Sequence, residues 1–315
     1  MRFAEDSNNP LLSQITASIS APMQIAVLGR DGAGRNTVGV ALTTSGLAVV
    51  ADAACADVHV LVIAETLKPE DRALLAAADR PIVAVLNKAD LTGLDGGGPL
   101  ARADRHAAEC RARTGVPTVP MVAPLAAAHL DDELMWALRV LISEPADLTS
   151  TDAFVGTAHS VPAELRRRLL ATLDRFGIAR AVLALAEGAD DATVSAELRR
   201  ASQVDRVVAH IEGAAAPLRY RRLQAAITEL RYLAIQSDDI ADFLSTDATV
   251  IAVMAAAVDV VEAAGIRVDR GDDSAAHLRR AIRWRHYSRG PVTKLHRTCG
   301  ADISRGSLRL LGQMR

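Results

Sequence analysis

The segment Gly29-Arg30-Asp31-Gly32-Ala33-Gly34-Arg35-Asn36-Thr37 has residue types and spacing suited to holding a phosphate. Glycines at such intervals let successive backbone N–H groups turn inward around an anion, and a helix starting directly afterwards adds its positive end. The spacing from Gly29 to Gly34 is that of a G-x-x-x-x-G loop, but Arg35 stands where a lysine would follow and Asn36 where a Ser or Thr would hold magnesium. Arginine carries the charge on a flat, larger fork, and an amide carbonyl is a poorer magnesium ligand in that place than a hydroxyl. A glycine-rich turn that merely joins strand to helix accounts for the same letters.

The second constellation is Asn87-Lys88-Ala89-Asp90, after the apolar run Ile82 to Leu86 and before a loop with Gly93, Gly96, Gly97 and Gly98. Ligands of open parallel sheets collect at the carboxyl ends of strands, where this motif falls. A carboxylate at Asp90 can accept from both the ring N–H and the exocyclic amine of guanine, a pair that adenine lacks. Lys88 offers an alkyl stem to lie along the base, and Asn87 is placed to tie the motif to the phosphate loop. The plain alternative is a turn and helix cap, for which Asn and Asp are also suited.

Elements that would position these residues are legible in the hydrophobic pattern. Continuous runs at Ile25–Leu28, Leu47–Val50, Val58–Ile63, Ile82–Leu86 and Val116–Val122 alternate with helical stretches, which predicts a parallel sheet covered on both faces. The fold expected is α/β, a parallel sheet flanked by helices and followed by an all-α domain. Expected boundaries are an N-terminal arm over 1–22, the nucleotide-binding domain over 23–143, a Ser/Thr/Asp/Pro-rich linker over 144–162, a helical bundle over 163–265 and a basic C-terminal segment over 266–315. In the bundle, Leu223, Ile227, Leu230 and Leu233 share one helix face.

On the phosphate loop and N-K-x-D, in this order, the chain resembles the P-loop GTPases of the translation-factor class over about residues 23 to 143. The resemblance implies a GTP or GDP ligand, with Gly29, Gly32, Ala33, Gly34, Arg35, Asn36 and Thr37 around the phosphates and Asn87, Lys88 and Asp90 on the base. It also sets Val122-Ala123-Pro124-Leu125 in the place of the last base-contacting loop, with Ala123 for its serine. The D-x-x-G of that class corresponds to Asp52-Ala53-Ala54-Cys55, without the glycine, so Asn36 and Asp52 are all that remain to hold magnesium. Only about ten residues separate the loop's helix from the next strand, too few for the usual mobile segment and edge strand. Hydrolysis needs a positioned water, magnesium and charge compensation, and each lacks a standard residue. The expectation is therefore a guanine-nucleotide-binding regulatory or assembly protein with weak or absent hydrolysis. Two alternatives stand beside it: a pseudo-GTPase interaction subunit, and a GTPase completed by a partner.

Further on, Leu198–Val208 and Arg219–Leu230 resemble the helical segment after the GTPase domain of bacterial dynamin-like proteins of actinobacteria, which implies a GTPase-family partner or a membrane-associated assembly. An ordinary helix bundle explains the same letters. Residues 266–315 hold 12 Arg or Lys against 4 Asp or Glu, including Arg279-Arg280-Ala281-Ile282-Arg283-Trp284-Arg285, a charge excess that can draw a segment to an anionic membrane face. A partly disordered solvated tail, or one anchored by Trp284 and Tyr287, fits equally.

Composition sets the remaining bounds. A balance of 36 basic and 38 acidic residues gives no global pull toward nucleic acid, and few aromatics (Phe 4, Trp 2, Tyr 3) leave little to stack on bases. Cys55, Cys110 and Cys299 lie in no CxxC, which argues for a reducing compartment and against structural zinc; Cys55 is expected to be buried. No apolar run reaches the roughly 20 residues of a spanning helix, and the polar start, Met1 to Pro10, is unlike a signal peptide, so the chain reads as cytoplasmic.

Overall fold

Strands that are apolar on both faces need helices on both sides, and the chain supplies them in alternation. The structure, a computed structural model, describes residues 10–93 and 97–314. After α1 (Pro10–Ser20) come β1 (Gln24–Gly29), α2 (Arg35–Thr44), β2 (Ala48–Val50), β3 (Val58–Ala64), α3 (Pro69–Ala76), β4 (Ile82–Asn87), α4 (Gly98–Thr114) and β5 (Thr118–Pro120). The strands form one parallel sheet in the order β2-β1-β3-β4-β5. Every residue of β3 from Val58 to Ile63 is buried, and β4 is buried from Val83 to Asn87. From β1 the chain goes to β2 and from β3 to β4, on opposite sides, so the connections part between the carboxyl ends of β1 and β3, where such sheets bind ligands. Register places Gly29 beside Val62 and Asn87 beside Ala64, bringing both sequence motifs to that end. Among the described residues β2 pairs with β1 alone and forms an edge.

Helices continue as α5 (Ala123–Ala126), α6 (Asp132–Ser143), α7 (Thr151–Gly156), α8 (Ala163–Ala186), α9 (Asp191–Ser202), α10 (Val204–Ala234), α11 (Asp238–Ser245), α12 (Asp247–Ala263), α13 (Ser274–Arg289) and α14 (Lys294–Gln313). The chain divides into two compact units, Met23–Ile211 and the residues up to Pro22 together with those from Glu212 onward. This division differs from the expected boundaries for physical reasons.

In the first unit, α6 to α9 belong with the sheet, because Leu134, Leu138, Leu169, Leu173, Ile178 and Leu198 close one core with Leu125 and Val122. Within 144–162 lies α7, whose Phe154 is fully buried in that core. The Ser and Thr that suggested a free linker instead cap and brace: Ser150 accepts from the Ala153 N–H, and the buried Arg166 guanidinium donates to the Thr157 carbonyl at 2.7 Å.

The second unit holds the N-terminal arm and the C-terminal segment together. Leu12 and Ile15 of α1 pack on Ala226, Leu230 and Ile240. Residues 266–314 are not an appended tail: Trp284, Cys299 and Ile303 share a core with Tyr220, Ala257, Val260 and Val261. The Trp284 and Tyr287 rings meet edge to face at 4.9 Å. Buried Asp302 accepts from the Tyr220 hydroxyl at 2.6 Å and the Gln224 amide at 2.8 Å, and buried Arg280 donates to Ser307 Oγ at 2.9 Å. Burial pushes the Cys299 thiol up to about 11 and raises the Tyr220 phenol further from its ordinary value. Among the described residues no single helix is long and apolar enough to cross a membrane; α11 and α12 meet that test only jointly, across a 53° bend.

Candidate functional site

The phosphate-loop candidate begins where β1 stops. A side chain at Gly29 would put its Cβ 2.6 Å from the Val62 carbonyl oxygen, so the close approach of β1 and β3 demands glycine. Gly34 starts α2 with φ +90°, and its own Cβ would fall 2.3 Å from Asn87 Nδ2. No side chain caps α2 and no acid stands in its first turn, which leaves its positive end unneutralised. Arg35, Asn36 and Thr37 are exposed on that turn, Gly32 is exposed in the loop, and Ala33 is buried beneath it. The Arg35 guanidinium bonds Asp31 of the same loop at 2.7 Å.

Beneath the loop, Asn87 is the joint. Its amide donates to the Ala33 carbonyl at 3.0 Å and its oxygen accepts from the Ala123 N–H at 3.3 Å, so one buried side chain links the loop after β1 with the strand end of β4 and the turn after β5. Lys88 follows in the left-handed region at φ +58° and is exposed. Asp90 is half-buried, and desolvation raises its carboxyl above the ordinary value; Asp174 adds to the rise while Lys88 and Arg175 oppose it. Asp174 sits at the one non-helical point of α8 (φ 53°, ψ 176°), and Arg175 donates to the Leu148 carbonyl. Of the glycine loop beyond Asp90, Gly96 lies outside the described residues.

The turn after β5 has no backbone donor left over. Val122 N–H donates to Ser202 at the end of α9 at 3.0 Å, Ala123 N–H is taken by Asn87, residue 124 is proline, and Leu125 N–H returns to the Val122 carbonyl. Ala123 itself is fully buried. Sequence gave no warning, because the acceptor Ser202 lies far along the chain.

A short turn follows β2. Asp52 caps the short turn Ala53–Cys55, accepting from Ala54 N–H at 2.9 Å and from the Cys55 thiol at 3.4 Å. Cys55 is exposed, contrary to expectation, and Asp52 beside it raises its pKa. Both Asp52 oxygens thus accept a hydrogen bond from within their own turn. Among the described residues no group of three His, Cys, Asp or Glu is arranged for a metal. Asp71, not singled out from sequence, is a fully buried carboxylate that accepts from Arg30 Nε at 3.0 Å and from Lys68 N–H at 2.9 Å, anchoring the loop after β1 to the start of α3. Its signal was local: Lys68-Pro69-Glu70-Asp71 has the proline and acid of a helix start. No protein-family model matches the chain, and no curated protein matches it.

Proposed function

We propose that the chain binds a guanine nucleotide, GDP or GTP, without depending on magnesium, and turns it over slowly or not at all, serving as a regulatory or assembly protein. The observation that carries this reading is the double hydrogen bond of Asn87. It fixes the spacing between the loop suited to phosphates, with three glycines at positive φ and an uncapped helix start, and the strand end that bears Asp90. In this reading Gly29 to Gly34 and the first turn of α2 hold the phosphates through backbone N–H groups. Arg35 contributes charge after leaving Asp31, Lys88 lies along the base, and Asp90 selects guanine.

Slow turnover follows from the same geometry. Phosphoryl transfer to water requires charge compensation at the bridging oxygen and an aligned nucleophile. Arg35 is held by Asp31, Asp52 caps its own turn, and neither a lysine nor a glycine occupies the positions that would replace them. A partner that supplied an arginine in trans would raise the rate, as the third reading requires.

One observation favours the rival reading, an interaction subunit that binds no nucleotide. The spent amides of Val122 and Ala123 leave a base oxygen without the donors that the family resemblance would place there. Asp90→Asn separates the two. An amide that donates where the carboxylate accepted should shift preference from guanine to xanthine nucleotides, whose 2-oxo group accepts. Calorimetric titration with GDP and XDP reads this directly. Exchange of preference supports the site, and identical isotherms for wild type and variant remove Asp90 from it.

A further inference from the structure

The outer side of the α13–α14 pair carries a groove of about 640 Å³ with a graded chemistry. The inner face of α13 is spent on the core through Trp284, with Tyr287 packed beside it. On the other face, positions 278, 282, 285 and 289 recur at intervals of four, three and four, which is one helical stripe. Its first half is apolar: Leu278 is 46% exposed and Ile282 52%, with Leu308 of α14, also 52% exposed, lining the same groove. Its second half is cationic, with Arg285 and Arg289 exposed, and no hydrogen bond or ion pair engages either guanidinium among the described residues.

We infer that this groove docks one amphipathic helix of a partner protein, apolar along one stretch and acidic beyond it. Two parallel ridges of side chains with a depression between them are the shape into which a third helix packs, at interaxial distances of roughly 8–10 Å. Three large apolar side chains in one concave patch gain from being covered, and two unpaired arginines on the same stripe set the direction by their charge. A bilayer is a poorer match. An interfacial helix keeps its apolar stripe unbroken along its length and its cations at the flanks, whereas here the stripe turns from apolar to cationic halfway along and its apolar part lines a hollow. The inference is independent of nucleotide binding.

Selection on the full chain tests it. The probe is a displayed library of helical peptides matching α13 in length, with leucine fixed at i, i+3, i+4 and i+7 and Glu or Lys varied elsewhere. The expected outcome is enrichment of Glu beyond one end of the leucine stripe. The best peptide should then lose about tenfold or more in affinity, by anisotropy, against Arg285→Glu/Arg289→Glu and against Leu278→Ser. Both variants change exposed residues, and circular dichroism checks that they fold. Selection without Glu preference, or binding indifferent to the variants, overturns the inference. So does pelleting with phosphatidylglycerol vesicles that the double variant abolishes while no peptide is selected. Concentration-dependent dimerisation abolished by that variant would assign the groove to a second copy and equally overturn it.

Discussion

Asn87 concentrates the account in one side chain. Replacing it with alanine strands a carbonyl and an N–H in a buried place, so Asn87→Ala should cost about 2–4 kcal/mol in urea unfolding, and a loss below a few tenths would mean the joint is not made. Asp90 gives an opposite sign. Burial raises its folded-state pKa above the unfolded value near 3.8, so its contribution to stability is fully present below that pH and is lost as pH rises through the folded pKa. Without nucleotide, Asp90→Asn should therefore hold its urea midpoint better than wild type between that pH and neutrality, while losing affinity for GDP. Equal slopes for the two proteins would show that Asp90 is not desolvated. Gains in stability paired with loss of binding are what a residue kept for a ligand should show. The tie made by Asn87 was legible from sequence because the partners fall at strand ends that hydrophobic runs already placed. The closure of the Val122 and Ala123 amides was not, since its acceptor belongs to a helix that pattern alone assigned to another domain.

At the scale of elements, the loop after β1 stands on two supports, Asn87 from β4 and Asp71 from α3. Asp71→Ala removes both an ion-pair partner and the acceptor at the start of α3. It should destabilise by about 2–4 kcal/mol and speed amide exchange in residues 30–36 and 68–72, read by mass spectrometry. Exchange altered in α3 alone would show that the loop does not lean on it. The central strands β3 and β4 were readable as nearly continuous apolar runs, because burial on both faces erases the alternation that would otherwise mark them. The stretch 144–162 was misread for a related reason. Ser, Thr and Asp serve helix starts as well as free chain, and only the burial of Phe154 tells the two apart.

For the molecule as a whole, the two tryptophans divide between the two compact units, Trp136 in one and the buried Trp284 in the other. In a Trp136→Phe background, emission reports the unit that holds α13 and α14. There Asp302→Ala, which removes the carboxylate that accepts from the Tyr220 hydroxyl, should lower the unfolding midpoint, whereas Asn87→Ala should leave it nearly unchanged. Equal shifts from both would show a single cooperative transition. The C-terminal residues were counted by charge in the sequence and so suggested an appendage. Position decides otherwise, because Trp284, Cys299 and Ile303 face inward while the arginines at 285 and 289 line the outer side.

The most direct measurement is equilibrium titration of the full chain with fluorescent GDP, in EDTA and in magnesium, with ADP as competitor. The expected result is saturable binding at micromolar concentration, about −8 kcal/mol, unaffected by EDTA, not displaced by ADP and lost in Asp90→Ala. Absence of saturation at millimolar GDP, or equal displacement by ADP, would contradict it.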